Sequence, residues 1–153
     1  MEEIHQKIIS TYDDLPLEMT ILKPDCLLKV KGIFQICHGM AEHQKRYLPF
    51  MQFLVKSGYI CVIHDHRGHG DSIKFVEDLG YFYDTTGKAI IEDAYQVTKY
   101  MKEHFPNLPI YLFGHSMGSM VVRNYIKFYD DEINKLIVCG PPCENKAAGM
   151  GLF

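Results

Sequence analysis

The 153-residue sequence contains no apolar run approaching the ~20 residues needed to cross a bilayer, so no spanning helix is expected. Its start, Met1-Glu2-Glu3-Ile4-His5, is acidic and lacks the basic-then-apolar order of a secretory leader. There is no excess of basic charge either: 16 Lys and Arg stand against 19 Asp and Glu, a net charge of -3. That balance gives no electrostatic reason to expect nucleic acid. Repeats, low-complexity tracts and charge runs are also missing, which argues against solenoids and disordered tails. An even set of cysteines is lacking too. The five present (Cys26, Cys37, Cys61, Cys139, Cys143) include three in expected strands, and buried, reduced thiols in a cytoplasmic protein fit better than a disulfide framework.

What is present is an ordinary globular composition, 47% hydrophobic and 23% charged, in a length suited to one domain. Residues 5–11 and 17–23 read as two strands around a turn at Asp13-Asp14-Leu15-Pro16, an antiparallel hairpin. From Gly32 onward strand and helix alternate. Strands are expected at 33–37, 59–63, 110–113 and 136–139, with helices at 47–57, at 87–104 and after residue 116. The second helix carries Ile90, Ala94, Val97 and Met101 on one stripe, and the third carries Met117, Met120, Val121, Tyr125 and Phe128. Near-continuous apolar strands alternating with helices predict an α/β fold, a mostly parallel sheet with helices on both faces. More than twenty residues without clear periodicity separate His64 from Gly87, and loops of that length are usually functional or mobile. Ligands of parallel α/β sheets bind at the carboxyl ends of strands, and this loop leaves that edge.

The stretch that points most directly to chemistry is Gly114-His115-Ser116-Met117-Gly118, between an apolar strand and an amphipathic helix. Strand, G-x-S-x-G, helix is the context of a nucleophile elbow, and composition alone would produce only about 0.03 such motifs here. The glycines make room for a tight turn, and Ser116 is expected in a left-handed conformation costing roughly 1–3 kcal/mol. Acyl transfer also needs donors for the developing oxyanion. The amide of Met117, at the first turn of its helix, is one candidate. The amide of Met40, in the loop His38-Gly39-Met40-Ala41-Glu42-His43, is the other.

Three segments carry a family resemblance. His38-Gly39-Met40-Ala41-Glu42-His43 with Arg46-Tyr47 resembles the HG-x-x-EH-x-x-RY segment of the monoacylglycerol lipase and lysophospholipase group of α/β-hydrolases. Asp65-His66-Arg67-Gly68-His69-Gly70-Asp71-Ser72 is similar to that group's D-x-RGHG-x-S segment. The elbow is similar to GHSMGG, with Ser119 in place of the last glycine. The resemblance implies Ser116 as nucleophile, the amides of Met40 and Met117 as oxyanion hole, and long-chain monoacyl esters as the substrate class, with no cofactor.

One departure stands out. In α/β-hydrolases the triad runs Ser, Asp or Glu, then His. All eight histidines here precede Ser116 in sequence. His38 and His43 are expected to shape the loop rather than act as a base, and His115 should point away from the serine. The chain therefore reads as the N-terminal part of a single hydrolase domain, 1–153, truncated after the strand that follows the nucleophile helix. Its triad acid, His, cap and C-terminal strands would be absent, and an open sheet ending at 136–139 would expose an apolar edge. Met150-Gly151-Leu152-Phe153 would have nothing to pack in, and interfacial contact would fall to the missing cap. Little or no turnover is expected of the chain alone. A non-catalytic acyl- or partner-binding module is the alternative. His64, His66 and His69 with Asp65 and Asp71 invite a metal reading, but the resemblance already accounts for them as a loop ordering the strand end, so no metal is expected. Glu42 and Arg46 are expected either as a buried pair bracing the oxyanion loop or as solvent-exposed side chains.

Overall fold

The β-branched and aromatic runs of the sequence form six strands in a computed structural model that describes residues 1–143. Met150 to Phe153, for which no packing partner was expected, lie outside the described residues. β1 (Glu2–Ile9) and β2 (Pro16–Lys23) make the expected antiparallel hairpin, with the first strand three residues earlier than its pattern suggested. β3 (Ile33–Cys37), β4 (Ile60–His64), β5 (Ile110–His115) and β6 (Lys135–Cys139) are mutually parallel. The order across the sheet is β1-β2-β4-β3-β5-β6, and β2 joins β4 antiparallel.

Three helices cover the sheet: α1 (Leu48–Lys56), α2 (Lys88–His104) and α3 (Met117–Tyr129). The period of two along each strand divides the core between the faces. Leu22, Phe34, Ile36, Cys61 and Ile63 pack under α1 through Met51, Leu54 and Val55. Leu17, Met19, Ile21, Ile33, Val62 and Ile110 face the other way, against Val97 and Met101 of α2. Cys37 and Leu112 meet Ile90 and Ala94 of α2 and Val121, Val122 and Tyr125 of α3. The α2 stripe is buried as its spacing predicted.

Two expectations need correction. On α3 the buried positions are Gly118, Ser119, Val121, Val122 and Tyr125, whereas Met120 and Phe128 are exposed. The helix is rolled toward its glycine: a Cβ on Gly118 would lie 2.1 Å from the carbonyl oxygen of Cys37, so that face sits directly on β3. The second correction concerns thiols. Cys37 and Cys61 are buried, and burial pushes both up to about 12, but Cys139 at the open edge is exposed, as are Cys26 and Cys143. All five are free.

Candidate active site

The site is assembled at the carboxyl edge of the sheet, where β3, β4 and β5 release their loops. β5 runs into α3 through Ser116, whose backbone takes φ 51° and ψ -116°. That conformation is strained for a residue with a Cβ, by roughly 1–3 kcal/mol. Neighbouring glycines make the turn sterically feasible. A Cβ on Gly114 would approach the Gly118 carbonyl oxygen to 2.3 Å, so the strand and the helix touch backbone to backbone. Ser116 is the N-cap of α3, a position where a serine hydroxyl normally accepts from an amide of the first turn. Here it makes no such bond. The oxygen is left for the cleft, and the amide of Met117, the first residue of the helix, has no intrahelical acceptor. Ser119 hydrogen-bonds the Ser116 carbonyl oxygen through its hydroxyl, which gives the residue at the usual glycine position a local task.

Ser116, Met40 and Met117 line one cleft of about 460 Å³, together with Phe82, Ile90, Ile91, Met120, Val121 and Pro142. The wall is mostly apolar and suits a hydrocarbon chain. Met40 sits in a turn whose next residue, Ala41, has φ 54°.

The loop carrying Met40 is fixed from both ends. The half-buried carboxylate of Glu42 accepts from the Gly39 amide at 2.8 Å and from the Tyr47 hydroxyl at 2.7 Å. His115 Nδ1 lies 3.1 Å from that hydroxyl and 3.3 Å from the carboxylate. Burial pushes the Glu42 carboxyl up, but the Tyr47, Gly39 and His115 contacts outweigh it and hold it below the usual range. Glu42 does reach Arg46, at 3.7 Å, yet Arg46 is exposed, so the pair is not a buried one. Tyr47 and His115 are the effective braces, and sequence reasoning missed both because they meet across 68 positions.

His38 is buried and its ring is committed. Its Nε2 accepts from the His66 amide at 2.9 Å, which fixes the proton on Nδ1, and Nδ1 donates to the Gly39 carbonyl oxygen at 2.8 Å. Burial pulls its pKa down to about 4. His66 and His64 are buried beside it, with ring centroids 4.3 Å and 4.8 Å apart along the row. Among the described residues neither finds a partner for its ring nitrogens, and burial holds His64 at about 3 and His66 well below the usual value. No group of three metal-ligating side chains is gathered among the described residues. The histidine row instead packs β3 against β4 beneath the loop.

Two buried carboxylates tie the 65–72 segment down. Asp65 accepts from the Gln44 amide (2.7 Å), the Gln44 side chain (3.1 Å) and the Asp71 amide (3.0 Å), linking the two glycine-containing loops. Asp93 of α2 takes Arg67 bidentately at 2.7 and 3.1 Å, and Asp13 takes the same guanidinium at 3.0 and 3.1 Å. Burial opposes the charge on Arg67, but the two carboxylates more than compensate and raise its pKa. The signal for Asp93 was in the sequence: an acid on the apolar stripe of α2, beside Ile90, Ala94 and Val97, must meet a buried cation.

Among the described residues no histidine ring hydrogen-bonds the Ser116 hydroxyl. A strained serine at a strand-to-helix turn, in an apolar cleft with two loops braced around it, agrees with comparison to known proteins. A family model described as serine aminopeptidase, S33, matches residues 29–151. The chain belongs to this family of α/β-hydrolases. The monoacylglycerol lipase of Mycolicibacterium smegmatis is 32% identical over 114 residues, covering 72% of this chain and 38% of that protein. Human monoglyceride lipase is 32% identical over 94 residues, 60% of this chain and 28% of the relative. A thermostable carboxyl esterase from Bacillus coagulans superposes with a TM-score of 0.83 at 30% identity, over 98% of this chain and 48% of the esterase. The α/β-hydrolase chain described here thus spans less than half the length of these relatives.

Proposed function

We propose that this α/β-hydrolase chain supplies the nucleophile-bearing part of a serine ester hydrolase acting on monoacyl lipids, of the monoacylglycerol or lysophospholipid type. In this reading residues 1–153 form the N-terminal part of one hydrolase domain. The Ser116 hydroxyl attacks the ester carbonyl carbon, and the amides of Met40 and Met117 bind the resulting oxyanion. A general base takes the hydroxyl proton and passes it to the departing alcohol, leaving an acyl-enzyme that water resolves. The observation that carries the reading is Ser116 itself: φ 51°, a hydroxyl not spent on capping, and a place in an apolar cleft. The similarity to lipases and an esterase supports the substrate class.

The base and its acid partner would follow the nucleophile, in the part of the longer relatives that these 153 residues do not cover. Removing a triad histidine costs on the order of 10⁶ in kcat in a serine protease. The 153-residue chain by itself is therefore inactive in this reading. Five free thiols suit a reducing compartment, and on that ground we assign the protein to the cytoplasm.

Fluorophosphonate labelling of the protein isolated from the cells that make it, followed by intact mass and peptide mapping, tests the proposal. One adduct on Ser116 in a species heavier than 17.7 kDa is the expected result. Failure of Ser116 to label in that protein would overturn the enzyme reading in favour of a binding module. Ester turnover by the isolated 153-residue chain that disappears in Ser116→Ala would overturn its assigned inactivity.

A further inference from the structure

The loop between β4 and α2 contains an apolar tip that the site does not use. Phe75, Val76, Leu79 and Tyr81 are 69%, 71%, 58% and 58% exposed, four large side chains within seven residues. Their exposure does not come from a loose loop. Asp78 receives the Phe75 amide (3.2 Å) and the Tyr83 hydroxyl (2.7 Å), and that hydroxyl in turn accepts from the Lys74 amide (2.9 Å). The Gly80 amide donates to the Gly68 carbonyl oxygen at 2.7 Å, anchoring the tip to the segment held by Arg67. A polar frame thus holds the apolar side chains outward, so little ordering entropy remains to be lost when they are covered.

We propose that this tip, residues 74–81, docks on a lipid surface and seats the mouth of the cleft there. The inference rests on the monoacyl-lipid reading for its purpose, but not for its test. Three observations favour lipid as the occupant. The tip adjoins the site: Leu79 and Gly80 line a second cleft that shares Met40 with the one containing Ser116, and Phe82 on the same loop lines the latter. A substrate with one long acyl chain resides in membranes or micelles, so a cleft fed from them gains from contact beside its entrance. The side chains are also of the kinds that enter the acyl boundary, aliphatic and aromatic with a phenol at the edge. Charge sets the type of surface. Lys74 is offset by Glu77 and Asp78, so the tip has no cationic excess to select anionic headgroups.

Flotation of the 153-residue chain with phosphatidylcholine vesicles provides the test. The wild-type chain is expected to float with vesicles, and Phe75→Ser/Val76→Ser/Leu79→Ser to lower its partition coefficient at least about tenfold. Adding phosphatidylserine or salt is expected to change partitioning by less than about threefold. A second variant, Ile137→Ser/Val138→Ser, removes apolar groups from the exposed β6 edge and is expected to float like wild type. The proposal is overturned if the wild-type chain stays with the aqueous phase, if the triple variant floats unchanged, or if the β6 variant is the one that loses binding. Unfolding curves superimposable on wild type separate loss of docking from loss of fold. Ser116→Ala should float normally, so a failure of the esterase reading and a failure of docking are read in different assays.

Discussion

Ser116 and Gly118 divide the work of the elbow between strain and space. Ser116 holds φ 51°, which a side chain tolerates at a cost, whereas Gly118 is helical and is needed only for lack of volume. A methyl group there would meet the Cys37 carbonyl oxygen at 2.1 Å and that of His38 at 2.6 Å, both backbone atoms that cannot rotate away. Gly118→Ala is accordingly expected to push α3 off β3 and destabilise the chain by about 2–4 kcal/mol, read from urea unfolding. A loss below about 0.5 kcal/mol would mean that the helix shifts freely and that the elbow is not tightly seated. Glycine at 114 and 118 and serine at 116 could be placed from the sequence because the motif is local and its chemistry demands those residue types. Glu42, Tyr47 and His115 could not be assembled in the same way. Their meeting depends on how the β3 loop folds against the end of β5, and no periodicity encodes that distance.

Between elements, the fold is joined by buried polar groups more than by the apolar pattern alone. Arg67 links the β4 loop to α2 through Asp93 and to the first hairpin through Asp13 and Ser10. Removing Asp93 leaves the buried Arg67 with only the partly exposed Asp13 as counter-charge, so Asp93→Ala is expected to cost about 3–5 kcal/mol, while Arg67→Met with Asp93→Leu should recover part of that loss. Equal losses for the single and double variants would show that packing, not the uncompensated charge, sets the cost. The strand and helix order was legible because apolar spacing reports which face is covered. The network was only half legible, since Asp93 on an apolar stripe announces a partner without saying which one. The histidine row gives a second handle on the same region. His38 and His64 titrate at about 4 and about 3 in the folded chain, below the ordinary 6.5. Below about pH 6.5 the unfolded chain therefore binds more protons than the folded one, and stability falls as pH drops toward 4. His38 alone would account for on the order of 3 kcal/mol across that window. Urea midpoints measured from pH 7.5 to 4.5 should decline, and His38→Gln should flatten the slope. An unchanged slope in that variant would assign the acid sensitivity elsewhere.

At the scale of the whole molecule, the two edges of the sheet are protected to different degrees. β1 carries Glu2, Glu3, His5 and Lys7 along its length, the charged decoration that keeps an edge from pairing. β6 reads Lys135-Leu136-Ile137-Val138-Cys139, pairs with β5 on one side, and among the described residues has no strand on the other. Ile137 and Val138 are both more than a third exposed, and among the described residues no strand pairs with that edge. The α/β-hydrolase relatives are more than twice as long as the portion this chain covers. A second copy of the chain is a ready partner for that edge. Sedimentation velocity should therefore show concentration-dependent association of the 153-residue chain in the micromolar range. Ile137→Lys, which places a charge on the unguarded strand, should shift it toward monomer without lowering its unfolding midpoint by more than about 1 kcal/mol equivalent. A variant at β1 such as Lys7→Ala should leave association unchanged. Monomeric behaviour of the wild-type chain at every concentration, or association that survives Ile137→Lys, would mean that the β6 edge is not what the chain presents to its surroundings, and the asymmetry between the two edges would have no consequence in solution.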